Sequence, residues 1–111
     1  MEVARTIPQK AKGLMDRDSL CPDCGMIFVS EFEMPQSFWM KNTKIPLDLI
    51  FIDRNGLIIN IETAHPEPGV SDNRLKQYRS LSPAQYVIEI NSGESARLSL
   101  KSGDKIDLPT F

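Results

Sequence analysis

The chain is expected to be mainly β, a compact β-sandwich or small barrel with one short N-terminal helix. Short β-branched-rich runs recur along its length, Gly, Asn and Pro turn signals separate them, and only one segment has helical spacing. With 111 residues, of which 41% are apolar, the whole of 1–111 fits one domain able to bury a core without metals or multiple disulfides.

An apparent strand begins almost at residue 1, an abrupt opening of the kind left when a leader or earlier strand has been removed from a longer product. Thr6 can cap a helix with Pro8 in its first turn, and Ala11, Leu14 and Met15 share one face, predicting a helix over residues 7 to 16. Gly13 interrupts it, so either the helix ends early or a backbone approaches closely there. After the loop Cys21-Pro-Asp-Cys24-Gly25, Met26 to Val29 reads as a buried strand bounded by Glu31 to Pro35. Ser37 to Thr43 alternates as a strand would, with Phe38, Met40 and Asn42 opposite Trp39, Lys41 and Thr43.

Leu47 to Ile52 and Leu57 to Ile61 are two apolar runs joined by Asp53-Arg-Asn-Gly56, and Asn-Gly between such runs predicts a hairpin. From Thr63 to Pro83 the pattern dissolves, with Leu75, Tyr78 and Leu81 as anchors of a long irregular loop. Gln85 to Asn91, Ala96 to Leu100 and Lys105 to Leu108 are predicted strands, separated by turns at Ser92-Gly-Glu94 and Ser102-Gly-Asp104.

The net charge is −2 and Lys and Arg are scattered, so no field exists to hold a nucleic acid. No run approaches the roughly 18 apolar residues of a membrane span, and the opening lacks the apolar core of a signal peptide.

Gly13-Leu-Met15 with Arg17, Gly25-Met26 with Phe28, Phe38-Trp-Met-Lys-Asn-Thr43, Pro46-Leu-Asp48, Phe51, the Tyr86 to Glu89 strand with Gly93, and Gly103-Asp104 together resemble the bacterial and archaeal family called domain of unknown function 192. The resemblance spans nearly the whole chain. It implies a jelly-roll-like sandwich or barrel with a short helix near the start, in proteins often exported or attached to the cell envelope, and it implies no known reaction. Cys21, Cys24 and the polar stretch Glu67 to Pro83 depart from the family pattern.

The block from Trp39 to Asp48 is the leading candidate site. Trp39 offers a stacking face while Lys41, Asn42, Thr43 and Asp48 supply directional hydrogen bonds, a combination suited to a small polar, saccharide-like ligand. The competing reading makes Trp39 core, at about 3 to 5 kcal/mol on truncation, and has Asp48 pair with Lys41 or Arg17 or cap backbone amides. Arg17 could clamp a ligand carboxylate or lock the helix end to Asp48 or Glu89. Glu89 lies in a strongly apolar strand, where a carboxyl without a partner would have a shifted pKa.

Three functional readings follow. The first is a non-catalytic domain binding a small polar ligand or a protein partner, without a cofactor. The second is an enzyme whose acid and base are drawn from Asp48, Glu89 and Asp104, aided by Lys41 or Arg17. The absence of phosphate-loop, nucleophile-elbow and paired-histidine signatures weighs against it. The third is a redox or metal module on Cys21 and Cys24, which have redox-motif spacing but precede a strand instead of opening a helix. A local disulfide or two reduced thiols are the plainer alternatives. With His65 the only histidine, in a loop, no closed zinc site is expected within one chain.

Overall fold

A computed structural model describes Met1–Phe111. Its elements are β1 (Glu2–Ala4), α1 (Ile7–Lys12), β2 (Gly25–Met34), β3 (Ser37–Phe38), β4 (Leu47–Ile52), β5 (Ile58–Ala64), a 3-10 turn (Asp72–Arg74), β6 (Tyr78–Arg79), β7 (Ala84–Asn91) and α2 (Glu94–Arg97). Five strands form one sheet in the order β1-β2-β7-β4-β5, and β3 pairs with β6 in a separate two-stranded ribbon. β1 runs parallel to β2; every other pairing is antiparallel. The fold is thus mainly β with a mixed sheet, and the sheet does not close into a barrel.

The alternation along β4 shows why the sheet is central. Leu47, Leu49 and Phe51 enter one apolar cluster with Met26, Phe28 and Val87, whereas Ile50 and Ile52 enter a second with Ile27, Ile58, Ile88 and Ile90. A strand apolar on both faces needs cover on both. On the first face the cover includes Leu14, Met40, Ile45 and Tyr78; on the second, Leu100, Ile106, Leu108 and Phe111 pack from the C-terminal segment.

The predicted hairpin is present, but its turn differs from a two-residue Asn-Gly loop. Gly56 alone has positive φ, +86°, and Asp53 Oδ1 accepts from the Asn55 and Leu57 amides, giving a longer turn with a register shift beyond Phe51. Added atoms at Gly56 would meet the Ile106 carbonyl at 2.5 Å, because the C-terminal segment crosses there and the Ile106 amide donates to the Gly56 carbonyl.

Several expectations need correction. α1 stops at Lys12, not residue 16, because Gly13 takes φ +48°, and Ala11 is exposed; the face predicted from Ala11, Leu14 and Met15 does not form. Ser37 to Thr43 is strand only through Phe38, since Asn42 at φ +51° turns the chain. Ala96 to Leu100 is not a strand: Glu94–Arg97 forms a second short helix, and of the Lys105 to Leu108 run only Lys105 bridges, to Leu57. Leu75 and Tyr78 do anchor the long loop, but Leu81 is exposed.

Candidate functional site

β7 places Val87 and Glu89 on the first face of the sheet, opposite Phe28 and Met26 of β2 and Phe51 and Leu49 of β4. Glu89 is only 5% exposed and takes part in none of the side-chain hydrogen bonds or ion pairs, although every fully enclosed side-chain polar atom has a partner. Its carboxyl instead borders a cavity of about 380 Å³ between α1 and β3. Burial with no compensating charge pushes its pKa up to about 8.

Phe28, Phe38, Leu14 and Trp39 supply the apolar walls of this cleft. The Phe28 and Phe38 rings meet edge to face at 4.9 Å between centroids. Gly13 forms part of the wall beside Glu89: a Cβ there would lie 3.3 Å from the Phe28 ring and 3.8 Å from Glu89 Oε1. Of the two alternatives for Gly13 the helix ends early, and what lies against the glycine is side chain, not backbone. At the far end, Ser30 Oγ accepts from Lys10 Nζ at 3.3 Å and from Gln36 Nε2 at 3.1 Å. Gln36 also donates to the Ala84 carbonyl, tying the ribbon region to the start of β7.

The sequence-predicted residues do not all gather here. Glu89, Trp39 and Thr43 line the cleft. Trp39 is 37% exposed, so it is a wall and not core. Lys41 lies 5.4 Å from its ring centroid and pairs with Asp72 at 2.7 Å, while Thr43 Oγ1 donates to the Lys41 carbonyl. Asn42 is exposed, lines a separate concavity with Asp16 and the Pro66 to Asp72 loop, and accepts from the Asp16 amide through its backbone carbonyl. Arg17 reaches neither Asp48 nor Glu89; it clamps Glu2 bidentately at 2.5 and 2.7 Å, and that bond holds the Glu2 carboxyl below its usual range.

Asp48 projects to the opposite face of the sheet from Glu89 and is 1% exposed. Its Oδ2 accepts from Ser95 Oγ at 2.6 Å, the Ser95 amide at 3.0 Å and the Gly93 amide at 3.2 Å, while Thr63 Oγ1 donates to Oδ1. It fastens the turn after β7 to the sheet. Asp104 is elsewhere again, accepting from the Lys101 amide.

The family model for domain of unknown function 192, DUF192, described as "Uncharacterized ACR", matches residues 1–108. The chain belongs to the DUF192 family. Two solved structures resemble it at a TM-score of 0.84 each. One, a protein of unknown function from Novosphingobium aromaticivorans DSM 12444, is 40% identical over 96% of this chain and 73% of its own. The other, from Sinorhizobium meliloti 1021 and named a "putative transcription regulator", is 37% identical over 96% of this chain and 78% of its own. Comparison with curated proteins gives no match.

In this DUF192 chain Cys21 and Cys24 are joined in a disulfide, with Cα atoms 5.1 Å apart. Asn91 Nδ2 donates to the Leu20 and Cys21 carbonyls, so the bridged loop is pinned to the end of β7. No three His, Cys, Asp or Glu side chains gather at one point, and His65 is exposed, its amide donating to the Tyr78 hydroxyl. Replacing both cysteines with Ser is expected to lower stability by about 2 kcal/mol or less, because a loop this short restricts the unfolded chain little. Urea denaturation with and without reductant measures it.

Lys10, Gly13, Ser30 and Gln36 escaped the sequence reading as cleft residues of the DUF192 domain. Only Gly13 carried a signal, an unexplained glycine in a helical pattern; the others are ordinary polar residues until the fold brings them together. Because Trp39 is partly exposed, Trp39→Ala is expected to cost about 1 to 2 kcal/mol, well short of a core truncation. A thermal melt of the variant distinguishes the two.

Proposed function

We propose that the cleft between α1 and β3 binds a small polar ligand, with Glu89 at its floor and Trp39 at its rim. The observation that carries this reading is the unpartnered Glu89 carboxyl facing an aromatic-walled cavity. A buried carboxyl without a partner costs stability, and a ligand that hydrogen-bonds or ion-pairs with it would offset that cost. The volume is within the range of ligand pockets, about 300 to 1,000 Å³. In this reading the β3–β6 ribbon acts as part of a second layer, sandwich-like, with the cleft between it and the main sheet.

The binding role is favoured over the acid and base pair by placement. Besides Glu89, the charged residues lining the cleft are Lys10 and Lys12, while Asp48 and Asp104 lie elsewhere. A nucleic-acid role, which the name of the Sinorhizobium protein brings to mind, finds little support in a net charge of −2 with Lys and Arg scattered along the chain.

Trp39 is the only tryptophan, so its fluorescence reports on the cleft directly. A panel of saccharides, amides, amines and carboxylates is expected to contain compounds that change both the emission and the melting temperature, and Glu89→Gln is expected to weaken those responses. If no member changes either signal, the cleft reading is wrong.

A further inference from the structure

We propose that the ligand of this cleft is bipolar, with a cationic group received by the Glu89 carboxyl, an apolar middle lying along Phe28, and an anionic group received by Lys10 and Ser30. The proposal rests on the cleft being a binding site and adds what the site selects.

The two ends of the cleft have opposite hydrogen-bonding character. At one end Glu89 makes no hydrogen bond or ion pair with another side chain, and Gly13 packs beside it, where a Cβ would lie 3.8 Å from Glu89 Oε1. At the other end, Ser30 is 7% exposed and its oxygen already accepts from Lys10 and Gln36. Its own O–H donates to no protein atom, and a hydroxyl whose acceptor capacity is filled has only that hydrogen left to offer. The Lys10 ammonium has three hydrogens, of which the bond to Ser30 uses one. That end therefore offers the Ser30 and Lys10 hydrogens together with positive charge, and Lys12 adds a second cation to the lining of the cleft. An anion suits it.

The separation of the ends follows from strand register. Glu89 pairs with Met26, and Ser30 lies four residues further along β2. That is about 13 Å at the usual rise per residue, which leaves a ligand about 6 to 9 Å between its charged groups once both side chains reach inward. Phe28 stands between, flanked by Phe38 and Trp39, so the middle of the ligand meets aromatic surface.

A series of ω-amino acids from β-alanine through γ-aminobutyrate and ε-aminocaproate to ω-aminocaprylate measures that distance. Binding is followed by Trp39 fluorescence and calorimetry, beside alkylamines, alkylcarboxylates and neutral saccharides. The expected result is an affinity optimum at or near ε-aminocaproate, about tenfold or more tighter than either monopolar compound of equal length. Glu89→Gln should then reduce the amino acid to the affinity of the carboxylate, and Lys10→Met to that of the amine, with thermal melts confirming that both variants fold. Binding of the amino acid should also strengthen as the pH rises from about 7 to about 8, because an ammonium requires the ionised form of Glu89. Saccharides binding while the amino acids fail would overturn the bipolar ligand and leave the cleft reading standing. Equal affinity of bipolar and monopolar compounds would likewise overturn it, and silence from every compound would remove both.

Discussion

Raising the pH from about 5 to about 9 is expected to remove on the order of 4 kcal/mol of folding stability through Glu89 alone. The carboxyl titrates at about 8 in the folded chain against 4.5 as the reference value. Between those values the folded chain keeps a proton that the unfolded chain has released, so stability falls by about 1.4 kcal/mol per pH unit until Glu89 ionises in the folded state as well. The contribution is fully present below pH 4.5 and exhausted above about 8. Glu2 acts in the other direction, since Arg17 lowers its pKa, and its contribution is lost as the pH drops. The informative quantity is therefore the difference between the native chain and Glu89→Gln, measured by urea denaturation at about pH 5, 7 and 9. The variant should lack the decline, and parallel curves would mean that Glu89 is solvated or paired.

Asp48→Ala is expected to cost about 3 to 5 kcal/mol, a large share of the roughly 5 to 15 kcal/mol typical of a whole domain. The loss leaves the Ser95 hydroxyl and the Ser95 and Gly93 amides without their acceptor. Asp48→Asn tests the geometry, because its carbonyl oxygen can replace Oδ2 while its NH2 turns toward the Thr63 hydroxyl. It should cost nearer 1 kcal/mol. Equal losses in both variants would show that charge, not the pattern of acceptors, holds the turn. Because Asp48 and Glu89 project to opposite faces, the first variant should leave the cleft's pH behaviour unchanged.

Legibility in the sequence followed the range of the interactions. The β4–β5 hairpin and the Thr6 cap were readable because short-range chemistry determines them: a turn containing Gly56 between apolar runs, and a hydroxyl accepting from the Gln9 amide. The Ser37 to Thr43 strand and the one expected at Ala96 to Leu100 were misread because alternation alone cannot reveal a backbone that turns at Asn42 or a chain fastened after Gly93 by Asp48, 45 residues away. The same limit governed the site. Trp39, Thr43 and Glu89 could be singled out by residue type, but whether Arg17 meets Glu2 or Glu89 depends on which strands become neighbours. Lys10 and Ser30, separated by 20 positions, form an end of the cleft that no local pattern announces.

The position of β7 between β2 and β4 has a consequence for the time course of folding. Its partners lie far back along the chain, Met26 opposite Glu89 and Phe51 opposite Val87, so the middle of the sheet is formed by its last strand. Until residues 84 to 91 arrive, β2 and the β4–β5 hairpin have no common neighbour, and their apolar faces remain uncovered. Distant pairings of this kind slow folding, and unpaired apolar edges invite association while it proceeds. A nascent chain should therefore gain its resistance to proteolysis in one late step, when the strand carrying Glu89 enters the gap.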